Sequence, residues 1–319
     1  MSRYPRYVPQ GGALVEVTYR TVQGRYLLRP GSALNDTVVG VLARALRPYP
    51  RVGLVGIVVL SNHLHLLFTV ESQEDLSSVM ARFASKSARE INKLYGWSGS
   101  VWGHRYRSIC VTQEPAAQIR RLEYLLSQAV KENLTKKVEQ WPGVHFGKTL
   151  MQGRSLLVGK WIDRTKKYRK EAQGKEVRRE EYTSTQTVEL QQLPCWAHLR
   201  WGEYLENIQK MIRKVEAEAA LERELRGVEV MGAERICRQD PQTWPNEVKS
   251  SPAPLVHAAS KRARLAWREV FGWFLAQYRE ASKRLRQGDR NARFPEGCFP
   301  PGLPFVGAAG GLPLQAASA

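Results

Sequence analysis

The chain is 319 residues long, with a formal charge of +19 and a pI near 10.0. Hydrophobic residues make up 43% of it, enough to build a core and too many for whole-chain disorder. One-signed charge on this scale repels itself in a compact chain and marks a polyanionic partner; no long basic amphipathic segment points to a membrane surface, so nucleic acid is favoured.

The N-terminus lacks the charged-then-apolar pattern of a signal peptide. Val52 to Val70 carries no Asp, Glu, Lys or Arg. Its middle, however, is Ser61-Asn62-His63-Leu64-His65, which would put polar groups at the centre of a bilayer. Two strands joined by a Ser-Asn turn fit better. Cys110, Cys195, Cys237 and Cys298 form no C-x-x-C pair and read as free thiols in a reducing compartment. A soluble cytoplasmic protein is expected, associated with the nucleoid when bound to DNA.

In chain order, residues 13–20 read as a strand behind Gly11-Gly12, and 36–47 as a helix stopped near Pro48. A hairpin follows over 52–60 and 63–70, then a long amphipathic helix over 74–94 ended by Gly96. Residues 105–112 form another strand, and a helix begins at Pro115, a favoured first-turn position, and runs to about Asn133. This β-α-β-β-α-β-α order predicts an α+β fold: a ferredoxin-like antiparallel sheet with helices on one face. Beyond Trp141-Pro142-Gly143 the composition changes, and a basic, mainly helical extension is expected over 151–300. Residues 151–180 hold ten Lys or Arg against four Asp or Glu, and 261–290 hold nine against three. Between them lie a strand-like patch (183–190), a helix (202–226) and a Pro-containing polar linker (239–254); a second basic helix spans 256–287. Residues 301–319, rich in Gly, Ala and Pro, read as a disordered tail.

The chemistry concentrates at two places. His63 and His65 stand two apart in a strand and project from one face, while Leu64, Leu66, Phe68 and Val70 take the other. Such a pair can ligate a metal, although an isolated H-x-H is more often two ordinary histidines. On the helix at 115–133, Ile119, Leu122, Leu126 and Val130 mark a buried stripe. Tyr124 and Gln128 fall roughly opposite it, stacked one turn apart, with Arg121 and Lys131 on the same side. His104 reads as a surface residue in a Gly-His turn, and His145, His198 and His257 are isolated and are assigned no chemistry.

Together these residues resemble a family. Ser61-Asn62-His63-Leu64-His65-Leu66-Leu67 is similar to the paired-histidine hallmark of the HUH single-tyrosine transposases. Val101-Trp102-Gly103-His104-Arg105-Tyr106-Arg107-Ser108 resembles a tryptophan–arginine–aromatic–serine block of the REP-associated tyrosine transposases, and Arg121-Leu122-Glu123-Tyr124 with Gln128 resembles their tyrosine helix. The blocks occur in the right order across roughly residues 11–150. Two departures stand out: Ser61 where relatives have proline, and Gln128-Ala129-Val130-Lys131 where REP-associated members have Asn-Pro-Val-Arg. Glutamine is nevertheless the third metal ligand that related insertion-sequence transposases use at that offset.

The resemblance implies a catalytic domain over 1–150 in which His63, His65 and Gln128 hold one Mg²⁺ or Mn²⁺. Tyr124 would attack single-stranded, hairpin-bearing DNA of REP-like structure, giving a 5′-phosphotyrosine and a free 3′-hydroxyl. A phenol ionises well above neutral pH, so the metal and Arg121 or Lys131 would favour the phenolate. Arg105, Tyr106, Arg107, Arg121 and Lys131 are the candidate DNA contacts, with Tyr106, Trp97 and Trp102 as surfaces for base stacking. No membrane partner is expected, and a monomer is preferred over a homodimer. Two other functions compete. One is a domesticated, non-catalytic binder of hairpin DNA or RNA, against which the histidines on the sheet count. The other is a replication-initiator or relaxase-like nickase, many of which carry a second tyrosine nearby; here Tyr124 is the only tyrosine between Arg107 and Lys167.

Overall fold

A computed structural model describes residues 5–246 and 253–298; the expected tail at 301–319 and part of the 239–254 linker lie outside the described residues. The elements are β1 (Ala13–Arg20), α1 (Ser32–Leu46), β2 (Val52–Val59), β3 (His63–Val70), α2 (Gln73–Tyr95), β4 (Arg107–Val111), α3 (Pro115–Lys131), α4 (Phe146–Met151), β5 (Leu156–Ile162), α5 (Arg164–Glu171), β6 (Thr183–Glu189), α6 (Trp201–Arg226), α7 (Ala233–Cys237) and α8 (Lys261–Arg286). Local chemistry sets several of the boundaries. The Ser72 hydroxyl accepts from the Asp75 N–H to open α2, and Gly96, at φ +61°, closes it in the left-handed region where glycine carries no steric cost.

The four-stranded sheet runs β2-β3-β1-β4, every neighbour antiparallel, which is the expected ferredoxin-like order. Alternation divides β1 between two environments. Tyr19 points to the side of α2, stacking at 4.1 Å on Trp102, whose indole N–H donates to Ala84 O in that helix. Glu16 and Thr18 point the other way, toward β3's histidines. Helices α1 and α2 cover the first face, as expected. The second face is not open either: α3 lies across it and α4 packs beside it, so every residue of β2 is buried. Phe146 of α4 sits where a side chain on Gly56 would, 3.4 Å from an added Cβ.

The chain passes residue 150 inside α4, with no linker. Residues beyond that point wrap the sheet. The β5–β6 hairpin packs on α1 through two facing glycines: a Cβ on Gly40 would lie 2.1 Å from Lys160 O, and one on Gly159 would lie 2.5 Å from Gly40 N. Helix α6 runs along the outside of α3, where Lys214 pairs with Glu123 at 2.5 Å and Arg223 donates to Val130 O at 3.0 Å. Helix α8 is anchored by Phe274 against Tyr7, ring centroids 4.4 Å apart. Both edges of the sheet are closed by the extension. Gln191 N–H donates to Leu54 O at the β2 edge; at the β4 edge, His257 N–H donates to Cys110 O and Thr112 N–H to His257 O. Among the described residues no helix is long and apolar enough to cross a membrane.

Candidate active site

β3 presents His63 and His65 on the face covered by α3, their rings edge to face with centroids 5.1 Å apart. Tyr124 of α3 meets His65 edge-on at 5.6 Å. His65 is 4% exposed, whereas Tyr124 is 36% exposed, so the nucleophile candidate stands open to solvent above a buried imidazole. The guanidinium of Arg121, one turn before Tyr124, lies 3.5 Å over the phenol ring.

The tautomers of the two histidines follow from their partners. His65 Nδ1 is 2.9 Å from Glu16 Oε1 and 3.3 Å from Thr18 Oγ1. Burial alone would keep Glu16 protonated. Hydrogen bonds from His257 and His65 and the charge of Arg121 outweigh it and hold the carboxyl well below the ordinary range. An ionised carboxylate only accepts, so Nδ1 is the donor to Glu16, and Nε2 is the ring nitrogen left for another partner. That Nε2 is buried and has no hydrogen-bond partner. His63 is arranged alike: its Nδ1 lies 2.7 Å from Asn62 Oδ1, again an acceptor, leaving Nε2 free. Burial above all, then the nearby His65 and Arg20, hold His63 far below its ordinary pKa and therefore neutral. Two imidazoles whose Nδ1 atoms are committed to Glu16 and Asn62 turn their Nε2 atoms to the same face, the buried one without a partner, and such a pair suits a divalent cation.

Gln128, one turn beyond Tyr124, is 3% exposed, and its amide nitrogen donates to Tyr124 O at 3.1 Å; the amide oxygen is the atom it could offer a metal. The sequence reading set Tyr124 and Gln128 opposite the buried stripe. Gln128 is buried instead, because the side of α3 it shares with Tyr124 lies against the sheet that carries His65. Among the described residues no cluster of three or more His, Cys, Asp or Glu is spaced to hold a metal, so a three-ligand site here requires the glutamine amide.

The candidate DNA contacts divide. Arg107 is exposed and pairs in register with Thr18, itself opposite His65, which places it on the same face as the histidines. Arg105 and Lys131 are exposed as well, Lys131 two turns beyond Tyr124. Tyr106 is a correction. One residue out of phase with Arg107, it turns to the opposite face, is 9% exposed, and has Arg6 packed 3.5 Å over its ring. It is a core residue with no open face for a base. Trp102 is likewise buried, and Trp97 has Arg25 over its ring at 5.0 Å. The open indole near this end belongs to Trp244, 52% exposed, on the other side of Arg25 at 4.5 Å.

His257 is a second correction. It is not isolated: its Nε2 lies 2.8 Å from Glu16 Oε2, and Arg121 Nη1 lies 3.4 Å from its Nδ1. Glu16 and His257 are the residues that sequence reasoning missed. A signal existed for Glu16, a carboxylate between Val15 and Val17 in an otherwise core-like strand. None existed for His257.

A tyrosine on a helix, laid against paired histidines on a ferredoxin-like sheet, defines a class of α+β protein in which a side-chain hydroxyl sits beside two imidazoles. A family model described as Transposase IS200 like matches residues 42–128, a span that contains all three sequence motifs and ends on Gln128. The resemblance read from those motifs is borne out, and this segment carries the IS200-like transposase signature. Two solved structures are similar to the chain. One is described as a REP-associated tyrosine transposase bound to a REP hairpin: 21% identity over 48% of this chain and 87% of that one, TM-score 0.39. The other is a crystal structure of a candidate transposase from Deinococcus radiodurans R1: 20% identity, 38% and 94% coverage, TM-score 0.28. No curated protein matches the chain.

Proposed function

We propose that the protein is a single-tyrosine transposase that cleaves and rejoins single-stranded, hairpin-bearing DNA. One observation carries the reading: His65, tied through Nδ1 to the buried Glu16 and with Nε2 free, stands edge-on to the exposed Tyr124 beneath Arg121. His63, His65 and Gln128 would hold Mg²⁺ or Mn²⁺, which when bound polarises and orients the scissile phosphate. Tyr124 Oη attacks phosphorus: the Oη–P bond forms as the P–O3′ bond breaks, the phenol proton leaves to solvent, and the departing O3′ takes one up. The products are a 5′-phosphotyrosine and a 3′-hydroxyl, and attack by a 3′-hydroxyl reverses the step. One phosphodiester replaces another, so rejoining needs no nucleotide. Arg121 has an ion pair to Glu16 at 3.4 Å, but its Nε and Nη2 are buried without hydrogen-bond partners. The guanidinium, held between Glu16 and the Tyr124 ring, suits a developing phenolate or a phosphate oxygen brought to Tyr124.

Outside the centre, the basic runs over 151–180 and 261–290 are assigned to the phosphates of the hairpin, adding affinity and register without chemistry. Helix α5 buries none of its residues, and Lys261, Arg262, Arg264 and Arg268 at the start of α8 are all exposed. The test of the central reading is a denaturing gel of full-length protein with a labelled DNA hairpin flanked by single strand, in Mg²⁺ or Mn²⁺. A covalent protein–DNA band is expected from the wild type and none from Tyr124→Phe. A wild type that binds the hairpin and never forms the band would sink the reading in favour of a non-catalytic binder.

A further inference from the structure

The extension contributes more than charge. Glu16 has two carboxylate oxygens and both are taken: Oε1 by His65, and Oε2 by His257 at 2.8 Å with Arg121 Nε at 3.4 Å. Because Oε2 accepts, His257 Nε2 is the donor in that bond. Arg121 Nη1 lies against the same ring, 3.3 Å from Nε2 and 3.4 Å from Nδ1. His257 thus bridges the carboxylate that orients a candidate ligand and the guanidinium that lies over the candidate nucleophile. Its own position is fixed twice over. The backbone pairs with Cys110 and Thr112 on the β4 edge, and Glu114 accepts from the Ala259 N–H at 2.9 Å just beyond.

We infer that His257 is a positioning residue of the catalytic centre, acting through Glu16 to fix the His65 imidazole and through Arg121 to fix the approach to Tyr124. This inference rests on the transposase reading for its effect on cleavage. The geometric part, control of His65 by a residue 192 positions later in the chain, stands without it. The interaction is a two-step relay: His257 does not touch His65, so removing it leaves the His65–Glu16 bond available but no longer directional. Groups outside a ligand shell that orient its members typically matter by 10–100-fold in metal affinity or activity.

The experiment uses full-length protein and three measurements. In metal-free protein, imidazole ¹⁵N chemical shifts report the His65 tautomer: wild type should be the Nδ1–H form, His257→Ala a mixture, and His257→Gln, which restores a donor near Glu16 Oε2, close to wild type. Mn²⁺ titration followed by electron paramagnetic resonance should show affinity weakened about tenfold by His257→Ala and substantially recovered by His257→Gln. Cleavage rates should then be non-additive: in a Glu16→Gln background, His257→Ala should cost less than about twofold further. An unchanged tautomer and Mn²⁺ affinity in His257→Ala, or full additivity with Glu16→Gln, would overturn the inference. If His257→Ala fails to fold, His257→Gln and Glu16→Gln decide it by the same shifts. A wild type that never forms the covalent band, yet shows the tautomer dependence, would separate the loss of the transposase reading from the survival of the positioning role.

Discussion

Residues up to about 150 and residues beyond it do different work and announce it differently. The first part builds the sheet, the histidine pair and the tyrosine helix, and its patterns repeat at the spacing of the element that carries them. The second part has no recognisable motif, but it closes both sheet edges, covers α3 with α6 and delivers His257 to Glu16. The candidate catalytic side chains lie in the part with the recognisable pattern, while a partner of the carboxylate behind them is supplied from far along the chain.

That contrast can be broken by substitution, starting where the effect is greatest. Tyr124→Phe should abolish the covalent adduct while changing hairpin affinity less than about twofold, since the phenyl ring and Arg121 contact remain. His65→Ala, or chelation of the wild type, should lower cleavage by at least ~10²-fold; undiminished cleavage in excess EDTA would remove the cation site. Next comes the extension's charge. Replacing Lys261, Arg262, Arg264 and Arg268 with alanine should make the slope of log affinity against log salt shallower by roughly three to four. An unchanged slope would assign α8 to a different partner.

Smaller effects probe how the two parts are joined. Gly40→Ala forces a Cβ against the backbone of Lys160 and should destabilise the protein by about 1–3 kcal/mol in denaturant unfolding. Gly202→Ala, in the first turn of α6 with open space around it, should be neutral or slightly stabilising. A Gly40 variant as stable as wild type would mean that β5 does not sit on α1 in solution. The smallest effect concerns Glu114. Hydrogen bonds from Ser260 and the Ala259 amide, with Thr112 adding to them, hold its carboxyl at about 2 against an ordinary 4.5. The depressed value means the clamp on residues 259–260 is in place above the ordinary range and is released as the pH falls toward 2. Amide exchange at Ala259 should lose protection through that window, and Glu114→Gln should flatten the dependence.

The sequence carried the fold's first half because each element there obeys one period against one surface. It failed where a second surface intervenes. Gln128 looked solvent-facing because nothing in 115–133 reveals that the side of α3 opposite its apolar stripe also lies against a surface, the histidine strand. Tyr106 looked like a stacking platform because its neighbours are arginines, yet the pairing of Arg107 with Thr18 puts it on the opposite face. β5 was hidden inside a run counted for its charge. Tyr124, His63 and His65 were legible because two spacings, two along a strand and four along a helix, converge on one place. His257 was not, since it belongs to an extended segment whose only pattern is the edge it pairs with.

The bond between Glu16 and His257 closes a loop of 241 residues. A chain made from its N-terminus exposes β1, the histidine hairpin and the tyrosine helix long before residue 257 leaves the ribosome. The sheet and α3 can collapse early, since their contacts are comparatively local, but the last partner of Glu16 arrives only when about four-fifths of the chain exists. Completion of this centre is therefore a late event in synthesis. A nascent chain displays Tyr124 before it holds the bond from His257 to Glu16.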